Sequence, residues 1–489
     1  MYKSILQFCQ EGSIKLEELS ADFFEKPKDV AEFVAGVKEN VINFGCAFMG
    51  EVFEELDKII KENPERRKKY DVVKIDQKEM LTSLGNIRYK KTLYRNKKTG
   101  KYVYLLDEYL GFEEGARMTE DAEAELLQEA VQTSYRRGGE AASLTDKVSK
   151  ATVKNKIHKL EFPELGEAKE KKEVKYLYID ADEDHVPMQF FEKKGDTKEK
   201  ENMGKRNTVQ VKLAYVYEGI EKEAPKSNRY RLINPHYFSG VYEGKDNEKL
   251  WDEIYEYMDS RYDLSKVERI YLNADGGFWI QEGKRKIHGL VPVMDEYHIN
   301  KYLTQMTTHL YDSKDDGKDL LRKVIKRGTK EDFEEAVQLI KEHAESEKEK
   351  ERITVGEKYI LSNWMSSKIR LNRKEGIIGS STEGHVSHVL ASRMSSRPMG
   401  WSKRGADRMG RLRAYYWNKG DMLSLVRYQK NNIKKAAGAE ELNITSSALK
   451  AWERKHRDGN RVYVEKIQHS IPAQTRKKFA IRERLEILK

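Results

Sequence analysis

The sequence predicts an α/β fold in which helices flank a central sheet. Three strand-like segments come first, between Tyr176 and Ile220, and strands then alternate with helical segments as far as residue 297. This order of elements is typical of a layered α/β domain. At 489 residues the chain is longer than one ordinary domain, so we expect roughly two to four domains.

Composition indicates a heavily charged protein of a reducing compartment. Charged residues make up 36% of the chain, and no apolar run approaches the roughly 20 residues of a membrane span. The N-terminal stretch lacks the pattern of a secretory signal. Two cysteines, Cys9 and Cys46, are too few for a disulfide framework or a four-thiolate zinc site. We therefore expect a cytoplasmic protein with no membrane contact.

Positive charge is concentrated at the C-terminal end. The chain has a net charge of +10, and the segment 401–489 alone has 22 Lys and Arg against 9 Asp and Glu. Aromatic residues such as Tyr415 and Trp452 are interleaved with these charges. Basic groups and rings together suit the phosphates and bases of DNA, although a solubilising tail is the alternative. We predict that 401–489 binds DNA and brings the protein to the nucleoid.

The N-terminal region, residues 1–116, is predicted to combine a long helix with a small β region. Apolar residues recur at three- and four-residue steps between residues 29 and 62, as on one face of a helix. The stretches 71–76, 86–96 and 101–107 have the pattern of strands, and the turn at 97–100 suits a hairpin.

Residues 117–162 are predicted to form a DNA-binding segment of the helix-turn-helix type. A helical pattern covers 119–137, and 138–160 has the rhythm of two short helices. Ser149 is placed to cap the second of these, and a plain helical hairpin is the alternative. The second helix offers polar side chains that suit a major groove, namely Lys150, Thr152, Lys154, Asn155 and Lys156.

The rest of the chain is predicted to be a core interrupted by helices. Residues 173–297 form its first part, 298–372 an all-helical insertion, and 373–400 a returning helix that starts near Ser381 and stops at Pro398. The stretch "GSSTEGHV" at 379–386 is close to a phosphate loop but lacks its Lys, so we expect no nucleotide cofactor.

Three carboxylates from distant segments are the candidate catalytic and metal-binding residues. Asp182 ends the first strand, Asp275 ends the strand "YLNAD", and Glu383 lies in the first turn of the returning helix. Asp180, on the same side of the first strand, is an alternative first acid. Ligands bind at strand ends in open α/β sheets, and carboxylates that lie together need a counter-charge.

A divalent cation would provide that counter-charge. Mg²⁺ takes oxygen ligands, and we expect Mn²⁺ to be able to substitute for it. Two such ions about 4 Å apart can activate a nucleophile and stabilise the leaving oxygen of a phosphodiester. Each acid also has a simpler explanation, as a hairpin residue, a turn residue before glycine or an acid at a helix N-terminus.

The order of these elements, together with four local motifs, resembles a known enzyme family. The motifs are "YIDADEDHV", "YLNADGGFWI", "VMDEYHINKY" and "STEGHVSHVLASRMSSRPMGW". They resemble the ISLre family of bacterial insertion-sequence transposases, DDE enzymes with a ribonuclease-H-like core that are related to the Mutator-like branch. The resemblance covers most of the chain. It implies a triad of Asp182, Asp275 and Glu383, with Asp295 and His298 supporting the ligands or the local structure.

The resemblance also implies a reaction and its partners. The enzyme would bind the terminal inverted repeats of its element, hydrolyse a strand at each end, and join the freed 3′-hydroxyl to target DNA. It would act as a homodimer or a higher multimer on DNA. A non-catalytic DNA-binding regulator and a structure-specific nuclease on the same fold are the rival functions.

Basic residues follow the third acid closely in the sequence. A basic face of this kind can clamp the phosphates of the cleaved strand, and a solvated surface is the alternative. The predicted phosphate contacts are Arg393, Arg397, Lys403 and Arg404.

Overall fold

The structure is a computed structural model of the chain. It describes residues 2–450 except 165, 167, 169, 190–206, 398, 432–441, 443, 446 and 447. The chain divides into two compact units, one comprising Met1–Asn155 with Met422–Lys489 and the other Lys156–Asp421. The predicted C-terminal DNA-binding segment, 401–489, is thus divided between the units, and its part from residue 451 onward lies outside the described residues. No helix of the described part has the length and apolar character that a membrane crossing requires.

The described residues form the following strands and helices. The strands are β1 Tyr70–Leu81, β2 Asn86–Asn96, β3 Tyr102–Val103, β4 Tyr176–Pro187, β5 Thr208–Tyr217, β6 Gly219–Lys222, β7 Tyr230–Ile233, β8 His236–Gly240, β9 Arg269–Ala274 and β10 Leu290–Met294. The helices are α1 Lys3–Gln7, α2 Ser13–Glu25, α3 Val30–Glu62, α4 Pro64–Lys69, α5 Leu105–Leu110, α6 Glu120–Ala130, α7 Tyr135–Ala141, α8 Lys150–Lys159, α9 Asn247–Arg261, α10 Phe278–Lys286, α11 Glu296–Thr307, α12 Lys314–Arg327, α13 Lys330–Glu342, α14 Glu347–Ser362, α15 Trp364–Asn372, α16 Thr382–His385, α17 Ser392–Met394, α18 Lys403–Trp417 and α19 Met422–Asn431.

In the first unit, a long helix packs on a three-stranded sheet. The helix predicted over 29–62 is confirmed as α3, and the Asp29 side chain caps it by accepting a hydrogen bond from the Glu32 amide. Strands β1, β2 and β3 pair antiparallel in that order. The strand predicted over 101–107 is wrong in its second half, because Leu105 and Leu106 start α5 and are fully buried in the core.

The helix predicted over 119–137 is broken in two. Helix α6 ends at Ala130, and the Ser134 hydroxyl starts α7 by accepting a hydrogen bond from the Arg137 amide. Glycine is needed after that break, because a Cβ atom on Gly139 would lie 2.3 Å from the Val148 carbonyl oxygen. Helix α7 ends at Ala141, so the first helix of the predicted pair is displaced toward the N-terminus.

The second unit contains a five-stranded mixed sheet in the order β10-β9-β4-β5-β8. Strands β4, β5 and β8 pair antiparallel, whereas β4, β9 and β10 run parallel. Parallel neighbours need a crossover connection, and α10 lies between β9 and β10 in the chain. The predicted α/β class, with a mixed sheet flanked by helices, is confirmed.

The two faces of β4 differ in chemistry because side chains alternate along a strand. Odd-numbered residues from Leu177 to Ala181 lie in an apolar core with side chains of α9 and α10. On the other face, the Tyr178 hydroxyl donates a hydrogen bond to the Gly376 carbonyl, and the Asp180 carboxylate accepts one from the Thr382 hydroxyl. The polar face of β4 is therefore covered by the part of the chain that carries the third acid.

Strand β4 is longer than predicted, which changes the setting of the acidic cluster. It pairs with β5 as far as Pro187, so the prediction that Asp182 ends the strand is wrong. The parallel pairing with β9, however, stops at Ala181. Asp182 is therefore the first residue of β4 beyond its parallel partner. A second strand was predicted to end near Phe191, which lies outside the described residues.

Residues 298–372, the predicted all-helical insertion, lie in a run of helices that starts at Glu296. Helices α11 to α15 and a 3-10 turn at Thr308–Ser313 cover it, and buried side chains from these helices form a core of their own. Two helix starts, at Thr329 and Ser346, have complete capping boxes, which satisfy backbone amides that a helix start otherwise leaves unpaired.

Helix α18 lies in the segment that was predicted to grip DNA, but it packs on the sheet. Its residues Ala406, Met409 and Leu412 are buried, and it contacts β8 and β5. The basic composition of this helix did not indicate its apolar face, because most of its charged residues lie at exposed or half-buried positions. The charge of 401–417 therefore belongs to a core helix and not to a tail, and Arg413 of that helix is itself buried.

Candidate active site

Strand register brings two of the predicted acids together. In the parallel pair of β4 and β9, Ala181 is the partner of Ala274. The next residues along the two strands are Asp182 and Asp275. Neighbouring strands lie about 4.8 Å apart, so these two acids leave adjacent strands at the same end of the sheet. Both are partly buried.

The third acid arrives on a segment that is held against the same face. The hydroxyl groups of Tyr178 and Tyr271 donate to the carbonyl oxygens of Gly376 and Glu375, at 2.9 and 3.2 Å. Gly376 has φ +83, and a Cβ atom on it would lie 2.8 Å from the Tyr271 hydroxyl. Only glycine suits this conformation and this close approach. The segment then enters α16, where Glu383 is exposed to solvent.

Thr382 fixes the start of that helix to β4. Its hydroxyl donates to the Asp180 carboxylate at 3.2 Å, and the Thr382 side chain is buried. Asp180 lies two residues before Asp182 on the same face of β4, and Glu383 follows Thr382 directly. The charge of Glu383 acts on Asp182 across this region.

Asp182 is electrostatically coupled to the other two acids. The pKa of Asp182 is raised to about 7, chiefly by burial. The hydrogen bond from the Glu183 amide lowers it, and the negative charges of Asp275, Glu183 and Glu383 add to the rise. Like charges and burial both disfavour ionisation. A positive charge at this edge would remove that penalty, so the site is electrostatically prepared for a cation.

Asp180, the alternative first acid, has a different environment. It is fully buried, and its oxygens accept hydrogen bonds from Tyr215 at 2.8 Å, Tyr217 at 3.0 Å and Asn273 at 2.6 Å, in addition to Thr382. Burial raises the pKa of Asp180, while these donors lower it. A carboxylate that already accepts four hydrogen bonds is poorly suited to bind an ion as well.

Asp295 and His298 form a pair beside the acidic edge. The Asp295 carboxylate accepts a hydrogen bond of 2.7 Å from the Ser380 hydroxyl and lies 3.4 Å from His298 Nδ1. Burial would raise the pKa of Asp295, but the neighbouring His298 and the hydrogen bond from Ser380 lower it overall. Burial would lower the pKa of His298, but Asp295 and the charge of Asp275 raise it.

The donor atoms at the edge fit a hard divalent cation. Carboxylate oxygens are the ligands that Mg²⁺ and Mn²⁺ take, and Asp182 and Asp275 supply them from adjacent strands. Within the residues that the structure describes, no three acidic, His or Cys side chains are already arranged to hold a metal ion. Glu383 is exposed, so closing such a site requires its side chain to turn toward the pair.

The predicted major-groove residues lie on α8. Ser149 caps this helix as predicted, since its hydroxyl accepts a hydrogen bond of 3.2 Å from the Thr152 amide. Lys150, Lys154 and Asn155 are exposed, whereas Thr152 and Lys156 are half-buried. The exposed three are available to a ligand, and contact with DNA stays a prediction for all five.

The four basic residues after Glu383 have unlike surroundings. Arg393 is 3% exposed and its guanidinium lies over the Trp401 ring, which removes it from any surface that DNA can reach and corrects that prediction. Arg397 is exposed. Lys403 pairs with Glu243 at 2.7 Å, and Arg404 donates to the His158 carbonyl at 2.8 Å, although both are exposed.

Sequence reasoning missed several residues that organise this site. Asn273, Tyr359 and Arg370 contact the acid-bearing segments directly. Asn273 was open to notice, as a polar residue two positions before Asp275 in an otherwise apolar strand. Tyr359 and Arg370 gave no signal, because they lie in an insertion whose composition is that of ordinary solvated helices.

Comparison with known families shows to which family this chain belongs. A model described as an uncharacterised protein family, UPF0236, matches residues 26–432. The chain belongs to family UPF0236. Relatives from Caldanaerobacter subterraneus subsp. tengcongensis include UPF0236 protein TTE0610/TTE0881/TTE1053/TTE2432, which is 36% identical over 90% of this chain and 88% of its own length. UPF0236 protein in vanSb 3'region of Streptococcus gallolyticus is 24% identical over 78% of this chain and 84% of its own.

Solved structures that match this chain include a transposase complex. The Drosophila P element transposase strand transfer complex aligns with 64% of this chain and 81% of its own, at 10% identity and a TM-score of 0.21. A score this low does not establish a common fold.

Proposed function

We propose that this UPF0236 protein is a DNA transposase of the DDE type. In this proposal it binds the terminal inverted repeats of its own insertion sequence, cleaves a DNA strand at each end, and transfers the 3′-hydroxyl to target DNA. Asp182, Asp275 and Glu383 are the catalytic acids, and the five-stranded sheet is a ribonuclease-H-like core. The protein works in the bacterial cytoplasm on the nucleoid, as a dimer or larger assembly.

The observation that carries this proposal is the strand register at the acidic edge. It makes Asp182 and Asp275 neighbours although they are far apart in sequence, and the Thr382 hydrogen bond brings the start of the Glu383 helix to the same face. The motifs that resemble the ISLre transposases place the same three acids in the triad. The register and this hydrogen bond therefore support the triad that the resemblance implies.

Divalent cations fit the proposed role. Asp182, Asp275 and Glu383 would hold Mg²⁺ or Mn²⁺, with two ions per site. Ions bound there would activate water and stabilise the leaving oxygen. Asp182 is preferred to Asp180 as the first acid, because the latter is fully buried and accepts four hydrogen bonds.

Repetition within a genome also supports a mobile element. One relative from the Caldanaerobacter strain has a name that combines eleven TTE designations. A gene that is carried many times in one genome is the expected product of transposition.

A strand-transfer assay tests the proposal. Purified protein, Mg²⁺ or Mn²⁺, and duplex oligonucleotides that carry the ends of the element should yield nicked DNA and joined products. Glu383→Gln should lose both products and keep DNA binding, because an amide is a weak cation ligand of nearly the same shape. Cleavage with no joining would favour a nuclease of this fold. Binding without cleavage, unchanged by Asp275→Asn, would favour a regulator.

A further inference from the structure

The helical insertion reaches the acidic edge through the backbone of Asp275. The Tyr359 hydroxyl of α14 donates to the Asp275 carbonyl at 2.6 Å. Next to it, Asn363 lies against Gly276, where a Cβ atom would be 2.4 Å from the Asn363 side-chain oxygen. Gly276 has φ +87, which glycine tolerates and other residues resist. The turn that follows β9 is therefore shaped against the insertion.

The insertion reaches the third acid through a buried arginine. Arg370 of α15 is 2% exposed. It donates to the carbonyl oxygens of Met294, at 2.8 Å, and Ile378, and to the side-chain oxygen of Asn273 at 2.6 Å. Met294 lies just before Asp295, and Ile378 lies in the segment that leads to Glu383. Asn273 lies in β9, two residues before Asp275. One guanidinium thus joins three segments that bear acids.

Asn273 connects this arginine to Asp180. Its side-chain oxygen accepts from Arg370, and its side-chain nitrogen donates to Asp180 at 2.6 Å. Asp180 in turn accepts the hydrogen bond from Thr382, the residue before Glu383. A buried cation and a buried carboxylate are therefore linked through one amide. Such a layer is stable only when every member is satisfied, and its geometry is then well defined.

We propose that the helical insertion is the positioning element of the acidic edge, acting on Asp275 through Tyr359 and on Glu383 through Arg370 and the Asp180 layer. None of these groups needs to touch a metal ion or DNA. They hold the strand ends and the start of α16 where three carboxylates can share a cation. Residues that orient metal ligands typically change metal affinity by about 10–100-fold when they are removed.

This inference rests on the proposed function, and metal binding without DNA tests it. Tyr359→Phe removes only the hydroxyl that binds the Asp275 carbonyl. Tyr302→Phe is the matched control, because the Tyr302 ring stacks on that of Tyr359 at 3.9 Å while the bond to Asp275 comes from Tyr359. Titration with Mn²⁺, followed by electron paramagnetic resonance, should show affinity lowered about 10-fold in the first variant and within about twofold of wild type in the second.

A second pair of variants tests the hydrogen bond between Thr382 and Asp180, which positions the start of the Glu383 helix. Thr382→Val keeps the shape of the side chain but cannot donate to Asp180, whereas Thr382→Ser keeps the hydroxyl. Weak Mn²⁺ binding in the valine variant, restored by serine, supports positioning, and a general packing defect would not be corrected in this way. Thermal melting of all four variants shows whether any of them is unfolded.

The outcomes separate this inference from the proposed function. Wild-type Mn²⁺ affinity in both Tyr359→Phe and Thr382→Val, with affinity lost in Asp275→Asn, would overturn the positioning role and keep the metal site. Mn²⁺ affinity that Asp275→Asn leaves unchanged would overturn the proposed site itself, and the positioning role with it.

Discussion

Asp180 and Asp182 lie two residues apart on one face of one strand, yet the regions around them are opposites. The region of Asp180 is a closed layer in which a fully buried carboxylate accepts hydrogen bonds from four side chains. The region of Asp182 is an edge where β9 has ended and like charges face one another. Position on a strand therefore does not decide what an acid does. The role of each acid depends on the side chains that other segments place around it.

The largest expected effects come from changing each acid to the amide. Asp182→Asn should lower DNA cleavage by at least about 100-fold, in the range for loss of a group that stabilises transition-state charge. It should not lower the melting temperature, because it removes a carboxylate that burial and like charges disfavour. Asp180→Asn should instead destabilise the protein by about 1–3 kcal/mol, because it disrupts a buried hydrogen-bond network that reaches Arg370 through Asn273. Cleavage assays and denaturant unfolding distinguish the two variants. Lost stability in Asp182→Asn and lost cleavage at normal stability in Asp180→Asn would exchange the roles of the two acids.

The pH dependence of stability sharpens the same contrast. Burial and neighbouring charges raise the pKa of Asp182 to about 7, whereas an unfolded Asp ionises near about 4. The folded state thus keeps a proton that the unfolded state loses, so the group's contribution to stability is present below about pH 4 and is lost as pH rises to about 7. Metal-free wild-type protein should lose more melting temperature between pH 5 and 8 than Asp182→Asn does. Equal losses in both would show that Asp182 titrates normally.

The fold was largely predictable from sequence, because its signals are local. The apolar stripe of α3, the strands alternating with helices and the solvated composition of the insertion each lie within one segment. Errors arose where a distant part of the chain decides the outcome. Leu105 and Leu106 look like a strand until the core that buries them is known, and the basic composition of α18 conceals its contact with β8 and β5.

The site was predictable only in part, for a physical reason. The acids themselves stand out, since carboxylates at the ends of apolar strands need an explanation. The choice between Asp180 and Asp182 could not be made, because the hydroxyl groups that surround Asp180 come from β5 and α16. Arg393 shows the converse, since only the fold reveals that a basic residue after Glu383 lies over the Trp401 ring.

A smaller effect compares two arginines that follow Glu383. Arg393→Ala should destabilise the protein by about 1–3 kcal/mol, because it removes a buried side chain and its contact with Trp401. Arg397→Ala should leave melting unchanged and weaken DNA binding by a few-fold, as expected for one phosphate contact. Melting and fluorescence anisotropy measure these effects. If DNA affinity fell for Arg393→Ala at unchanged stability, Arg393 would have to become accessible.

The smallest expected effect lies on α8. Lys154→Ala should weaken binding to all DNA sequences alike and reduce by about 1 the slope of the logarithm of affinity against the logarithm of salt concentration. Glu140→Ala serves as a control of opposite charge on the preceding helix. A salt slope that Lys154→Ala leaves unchanged would mean that α8 does not lie on DNA.

The central claim is that the edge formed by Asp182, Asp275 and Glu383 binds divalent cations. Anomalous diffraction from crystals grown with Mn²⁺ tests it most directly, at the absorption edge of manganese. The account predicts a manganese peak between the carboxylates of Asp182 and Asp275, with Glu383 turned toward it. Crystals saturated with Mn²⁺ that show no peak there, and an undisturbed acid pair, would contradict the account.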